Sequence, residues 1–209
     1  MTKSSLIPFN NFYKKCLNLE KTRLRIDLLR KNQKILQTDK NRIYESIFLN
    51  AIIAFEDFIE ELFIGLLVDN RGLKSSRSDV SPKIIINTYK VVWDILLETQ
   101  NKSYINWLPF NNTERLSLVF FQGGRPFTLL SNNQKDVLEK SVCLRNAIAH
   151  KSKHSKNKFI KQVIGNSTIL KREHNPSLYL QGLFRISPDQ TRYENLISQL
   201  LIIAKSLAK

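Results

Sequence analysis

The sequence predicts an all-α protein: a helical bundle with a small irregular or β-hairpin insertion after its fifth helix. Three observations lead there. Glycine and proline are scarce, six of each in 209 residues, so few positions break a helix. Apolar residues recur at steps of three and four along much of the chain. The stretch from Ile47 to Leu66 is nearly continuously apolar, as in a helix buried on most sides. At this length the chain is most simply one domain spanning 1–209, large enough to bury its own core.

The elements follow in order. A first helix is expected over 10–36, with Phe12, Cys16, Leu19, Leu24, Leu28 and Ile35 facing inward and a basic outer face. The second spans 42–68 with Asp39 as its N-cap; it is the central helix of a bundle, part of a subunit interface, or both. Residues 69–81 (DNRGLKSSRSDVS) read as a loop. Pro82 suits the first turn of a third helix ending near Glu98, capped by Ser81. Residues 99–112 read as irregular. A short helix over 113–122 is closed by Gly123-Gly124, and Ser131 caps the fifth helix. Residues 159–164 and 168–170 are candidate strands about a Gly165-Asn166 turn. Asp189 or Thr191 starts a last helix with Leu196, Leu200, Ile203 and Leu207 inward.

Charge narrows the function classes. Thirty-three Lys and Arg against 18 Asp and Glu give +15, which favours polyanionic partners, nucleic acid first. The excess is segregated. Residues 1–42 hold eleven bases and three acids, residues 140–174 hold nine bases and one acid, and residues 43–70 hold six acids and no base. Cys16 and Cys143 sit in apolar helical patterns and read as small core residues, not as a disulfide or metal pair. The start lacks the apolar core of a secretory signal, and no uncharged run reaches the roughly 18–20 residues that span a bilayer. A cytoplasmic protein with no membrane partner is expected.

The segment Arg145-Asn146-Ala147-Ile148-Ala149-His150 concentrates the chemistry. Arginine neutralises phosphate at any relevant pH, and an imidazole can move a proton near neutrality. With Ile148 pointing to the core, Arg145 lies about 60° to one side, and Asn146 and His150 point away together. Ala147 and Ala149 flank that polar ridge. The plainer reading is a helix C-terminus whose last carbonyls attract a cation.

RNAIAHKS resembles the R-N-x-x-x-H signature of the HEPN superfamily. Its surroundings are similar to the RiboL-PSP-like branch of that superfamily: AFEDFIEELF on the second helix, NWLPFNNTERLSLVFFQGGRPFTLL in the linker, and YLQGLFRISPDQTRYENLISQLLIIAKSLA at the end. The similarity spans most of residues 42–208. It implies a HEPN-like helical bundle acting as a homodimer, with the motif helices of two copies meeting at a two-fold axis. It implies a metal-independent endoribonuclease in which Arg145, Asn146 and His150 act on RNA, without a cofactor. A toxin or antiphage effector, with an antitoxin or sensor protein as partner, is the biological setting the resemblance implies. The alternatives are a non-catalytic helical dimer that binds nucleic acid or a partner protein, and a regulatory chain that binds a nucleotide between subunits.

Further candidates surround the motif. Glu56 and Glu60 lie one turn apart; one of them would pair with Arg145 or a nearby lysine, and a metal site is the weaker reading. His154 would be a supporting phosphate contact or plain surface. Lys151, Lys153, Lys156 and Lys158, with Lys161, would hold the RNA backbone without reading its sequence, or form a solvated face. Trp93 and Trp107 suit core packing better than base stacking.

Overall fold

The computed structural model describes residues 3–69, 72–101 and 103–209. Helix makes up 71% of the described residues against two very small sheets, so the fold is all-α with a small β insertion. Eight α-helices occur among the described residues: α1 Leu6–Lys31, α2 Gln37–Leu67, α3 Tyr89–Gln100, α4 Phe110–Phe120, α5 Asn132–His150, α6 Lys153–Phe159, α7 Pro176–Gln181 and α8 Arg192–Ala208. The strands are β1 Lys3–Ser4, β2 Leu73–Lys74, β3 Leu183–Ile186 and β4 Asp189–Thr191. No helix among the described residues is long and apolar enough to cross a membrane.

Helix α1 departs from the expected stripe. Phe12 and Cys16 are buried, but Leu24 and Leu28 are 54% and 57% exposed. From Leu19 the buried face continues by a four-residue step to Arg23, which is 5% exposed, and leaves the leucines one position out of phase. Helix α2 begins at Gln37, ahead of the expected Arg42. Asp39 is therefore not the N-cap; its carboxylate lies inside the first turn and accepts the Leu36 N–H at 3.2 Å, half of a capping box.

The third helix starts at Tyr89, not Pro82. Its cap is Thr88, whose hydroxyl accepts the Val91 N–H. Residues 82–86 stay outside the helix, with Pro82 bridging to Phe121 and Ile86 bridging to Val68. Within the loop expected at 69–81, Asn70 and Arg71 lie outside the described residues, as does Lys102 in the irregular 99–112 segment.

The strands expected at 159–164 and 168–170 are absent. Buried Phe159 and Ile164 bracket exposed and half-exposed positions in a helical rhythm, and α6 runs on into a π-helical turn over Ile160–Ile164. Gly165, at φ 54°, ends that turn instead of joining two strands. The hairpin lies later, β3 pairing antiparallel with β4. Two capping boxes match expectation in place: Ser131 with Gln134 before α5, and Thr191 with Glu194 before α8.

Backbone packing divides the chain into two compact units, with α1, α2, α5 and α8 each contributing to both. The first comprises Met1–Tyr13, Phe55–Lys135 and Leu201–Lys209. Its core is aromatic: the Phe63 ring lies 5.0–5.2 Å from Trp107, Phe121 and Phe127, and 6.1 Å from Phe120. The parallel β1–β2 pair sits against α2 at Gly65, where a Cβ would fall 2.5 Å from Leu73. Ser5 Oγ donates to the Ala208 carbonyl at 2.5 Å, tying the two ends of the unit together.

The second unit comprises Lys14–Ala54 and Asp136–Leu200. Its interior holds Phe48, Ile52, Leu138, Leu144, Phe159 and Leu200, with Cys16 and Cys143 as buried free thiols. Burial pushes the Cys16 thiol up to about 12 and raises Cys143 as well, so both behave as small apolar core groups. One side is closed by charge. Arg23 reaches Glu20 at 2.5 Å, Asp27 at 2.8 Å and Glu194 at 2.7 Å, and the Tyr44 hydroxyl donates to Asp27. Burial works against the charge on Arg23, but the carboxylates, Glu20 foremost, outweigh it.

Candidate functional site

The RNAIAH segment forms the last turn and a half of α5. Ser141, Leu144, Ala147 and Ile148 are buried and anchor the helix within the second unit. Arg145 and Asn146 are half-buried, while Ala149 and His150 are exposed. Arg145 thus lies on the border of the core, as its helical phase predicts. The ridge is less open than expected: Ala147, anticipated as a small exposed flank, is 4% exposed. Only the His150 end of the motif is fully presented to solvent.

Helix α5 stops at His150 because Lys151 adopts φ 49°, the left-handed conformation of a helix C-cap. Ser152 then caps α6, its hydroxyl accepting the Ser155 N–H at 3.1 Å. The break also places His154. It does not continue the α5 face beside Ala147 and His150 but lies exposed in the first turn of α6. Lys153, Lys156 and Lys158 are exposed on α6, and Lys161 just beyond it. Lys151 is 69% exposed and reaches the Glu45 carboxylate at 3.2 Å. The end of α5 and all of α6 therefore display a run of ammonium groups around two imidazoles, His150 and His154.

Glu56 and Glu60 both lie half-buried on the part of α2 that belongs to the first unit. Glu60 accepts the Trp107 indole N–H at 2.8 Å. Burial raises the Glu60 carboxyl, the Trp107 bond opposes this, and Asp57 and Glu61 add to it. Trp107 is 4% exposed and packs on Phe63, so it serves the core; Trp93 is half-buried. Among the described residues no group of three or more His, Cys, Asp or Glu side chains is placed to hold a metal ion.

Tertiary structure adds residues that local pattern did not single out. A cavity of about 210 Å³ lies at the C-terminal end of α5, lined by Glu45, Ala147, Lys151, Lys156, Asn175 and Pro176. Asn175 caps α7, its side-chain oxygen accepting from Ser177 N at 3.0 Å and Ser177 Oγ at 2.7 Å. Asn followed by Pro is a helix-start signature that was legible in KREHNP. Glu45 carried a weaker signal, an acid between Tyr44 and Ile47 in an otherwise apolar run.

Comparison with known proteins finds no family model, no curated protein and no solved structure that matches this chain.

Proposed function

We propose that the protein is a HEPN-like endoribonuclease that cleaves RNA by attack of a ribose 2′-hydroxyl on the adjacent phosphorus. The observation that carries this reading is local. An exposed imidazole, His150, ends a helix whose preceding turn bears Arg145 and Asn146, and exposed lysines follow at once. In the proposed reaction His150 takes the proton from the 2′-hydroxyl. The oxygen bonds to phosphorus, the bond to the 5′-oxygen breaks, and that oxygen leaves with a proton returned by the imidazolium. Arg145 stabilises the added negative charge of the transition state, and Asn146 orients the imidazole or the phosphate. The products are a 2′,3′-cyclic phosphate and a 5′-hydroxyl. DNA lacks the nucleophile and would not be cut. Lys153, Lys156 and Lys158 on α6 hold the backbone whatever its sequence.

The R-N-x-x-x-H resemblance extends the proposal to a homodimer whose two motif helices share a cleft. A phosphate between them would offset the repulsion of paired cations. A toxin or antiphage role, and an antitoxin or sensor partner, rest on the resemblance alone. Purified protein incubated with total RNA and a chelator should release fragments ending in cyclic phosphate. His150→Ala should lower the rate at least about 100-fold with the fold and oligomeric state unchanged. Salt-dependent RNA binding with no cleavage by the wild-type chain would instead identify a binding module.

A further inference from the structure

We infer that the cavity at the end of α5 is a guanine-binding site. The inference rests on the nuclease reading for its place beside the scissile linkage, but not for its chemistry. The cavity measures about 210 Å³, below the roughly 300–1,000 Å³ of sites that enclose a drug-sized molecule, which suits one ring system. Two of its lining residues, Ala147 and Lys151, stand three before and one after His150 in the chain. A base held there would set its own phosphate at the exposed end of the motif helix.

The polar groups select among bases. The Glu45 carboxylate, 19% exposed, lies 3.2 Å from the Lys151 ammonium. Both line the cavity, so together they can offer a molecule held there one ammonium donor beside two carboxylate acceptors. Guanine alone carries the complementary edge, with O6 accepting and N1–H and the 2-amino group donating. Uracil offers acceptor, donor, acceptor; cytosine donor, acceptor, acceptor; adenine a donor and an acceptor. Each of these turns a lone pair toward a carboxylate oxygen or leaves that oxygen unpaired, which is costly in a partly desolvated site. Asn175 adds a donor, because its carbonyl oxygen is taken by Ser177. Ala147 and Pro176, both buried, give small apolar walls against which a flat ring can lie. Exposed Lys156 remains for the phosphate.

The same chemistry suits a free guanine nucleotide and a guanosine within RNA, and two measurements separate them. In the first, GMP, AMP, CMP and UMP are titrated separately into the whole protein. GMP should bind about tenfold tighter than the others, the discrimination expected of a bidentate contact. Glu45→Gln should bring the four to near equality. Lys151→Met, at an exposed position, removes the donor to O6 and should reduce the GMP preference, which keeps the test decisive if the first variant folds poorly. Equal binding of all four by the wild type, or an unchanged preference in both variants, overturns the inference. In the second, RNA oligonucleotides carry one guanosine moved along the chain. Cleavage that follows the guanosine places the site on the substrate; cleavage indifferent to it, with GMP preference intact, assigns the cavity to a free nucleotide. Guanine preference without any RNA cleavage keeps the site and removes the nuclease reading. Cleavage with no base preference in either measurement does the reverse.

Discussion

The first unit closes its interior on rings: Phe63 sits among Trp107, Phe121 and Phe127 at about 5 Å, and a carboxylate, Glu60, is held there by an indole N–H. The second unit closes one side on charge, Arg23 among Glu20, Asp27 and Glu194, and displays further cations at the ends of α5 and α6. The difference separates two uses of basic residues. Arg23 is 5% exposed and is ringed by acids, so it acts in folding. Lys153, Lys156 and Lys158 are exposed to solvent. Net charge alone, +15, cannot distinguish them.

The comparison breaks first at Arg23. Arg23→Ala should lower the unfolding free energy by about 3 kcal/mol, the low end for a buried ion network that loses its central partner. The low end applies because the three acids keep 28–32% exposure. Urea denaturation measures the loss, and a drop under about 1 kcal/mol would rank the cluster with surface ion pairs. At the displayed cations the expectation is reversed. Replacing Lys153, Lys156 and Lys158 together with alanine should leave the urea midpoint unchanged. It should flatten the dependence of log RNA affinity on log salt by about 2, since each contact to a single strand contributes about 0.7. An unaltered slope would return these lysines to a plain solvated face.

The smallest effect belongs to the first unit. Folding raises the Glu60 carboxyl, mainly through burial. A group raised in this way stabilises the fold below the ordinary carboxylate range, and that contribution is lost as pH rises through the raised value. Glu60→Gln keeps an acceptor for Trp107 and removes the charge. It should raise Tm at neutral pH by the equivalent of less than about 1 kcal/mol, discounted for partial exposure. The gain should shrink toward about pH 4. Thermal melts across that range test it; a lower Tm at neutral pH would mean that the ionised carboxylate is the form the fold prefers.

Local sequence was a good guide where a single helix settles the outcome. The capping boxes at Ser131 and Thr191, the inward Leu200, Ile203 and Leu207, and the placing of Arg145 at the edge of the core all follow from three- and four-residue spacing and from side chains that satisfy the first-turn amides. It failed where another segment competes for the same residues. Leu24 and Leu28 are apolar and regularly spaced, yet acids from α1 and α8 draw Arg23 inward in their place. Residues 159–164 have strand-like composition, but Phe159 packs on Tyr179 at 5.4 Å and keeps the helical rhythm. Helix α5 ends before His154 because of one backbone angle, at Lys151, that no residue type announces.

The sequence by itself therefore determined the helical class, the segregation of charge and the turn that bears arginine, asparagine and histidine, because each is a property of neighbours along the chain. Tertiary structure decided which basic residues are consumed in ion pairs and which remain exposed. It also decided that Glu45, Asn175 and Pro176 meet at the end of α5. The Arg23–Glu194 pair and the meeting of Glu45 with Asn175 and Pro176 join groups more than a hundred positions apart in the chain, and burial and charge pairing act through space, not only along the sequence.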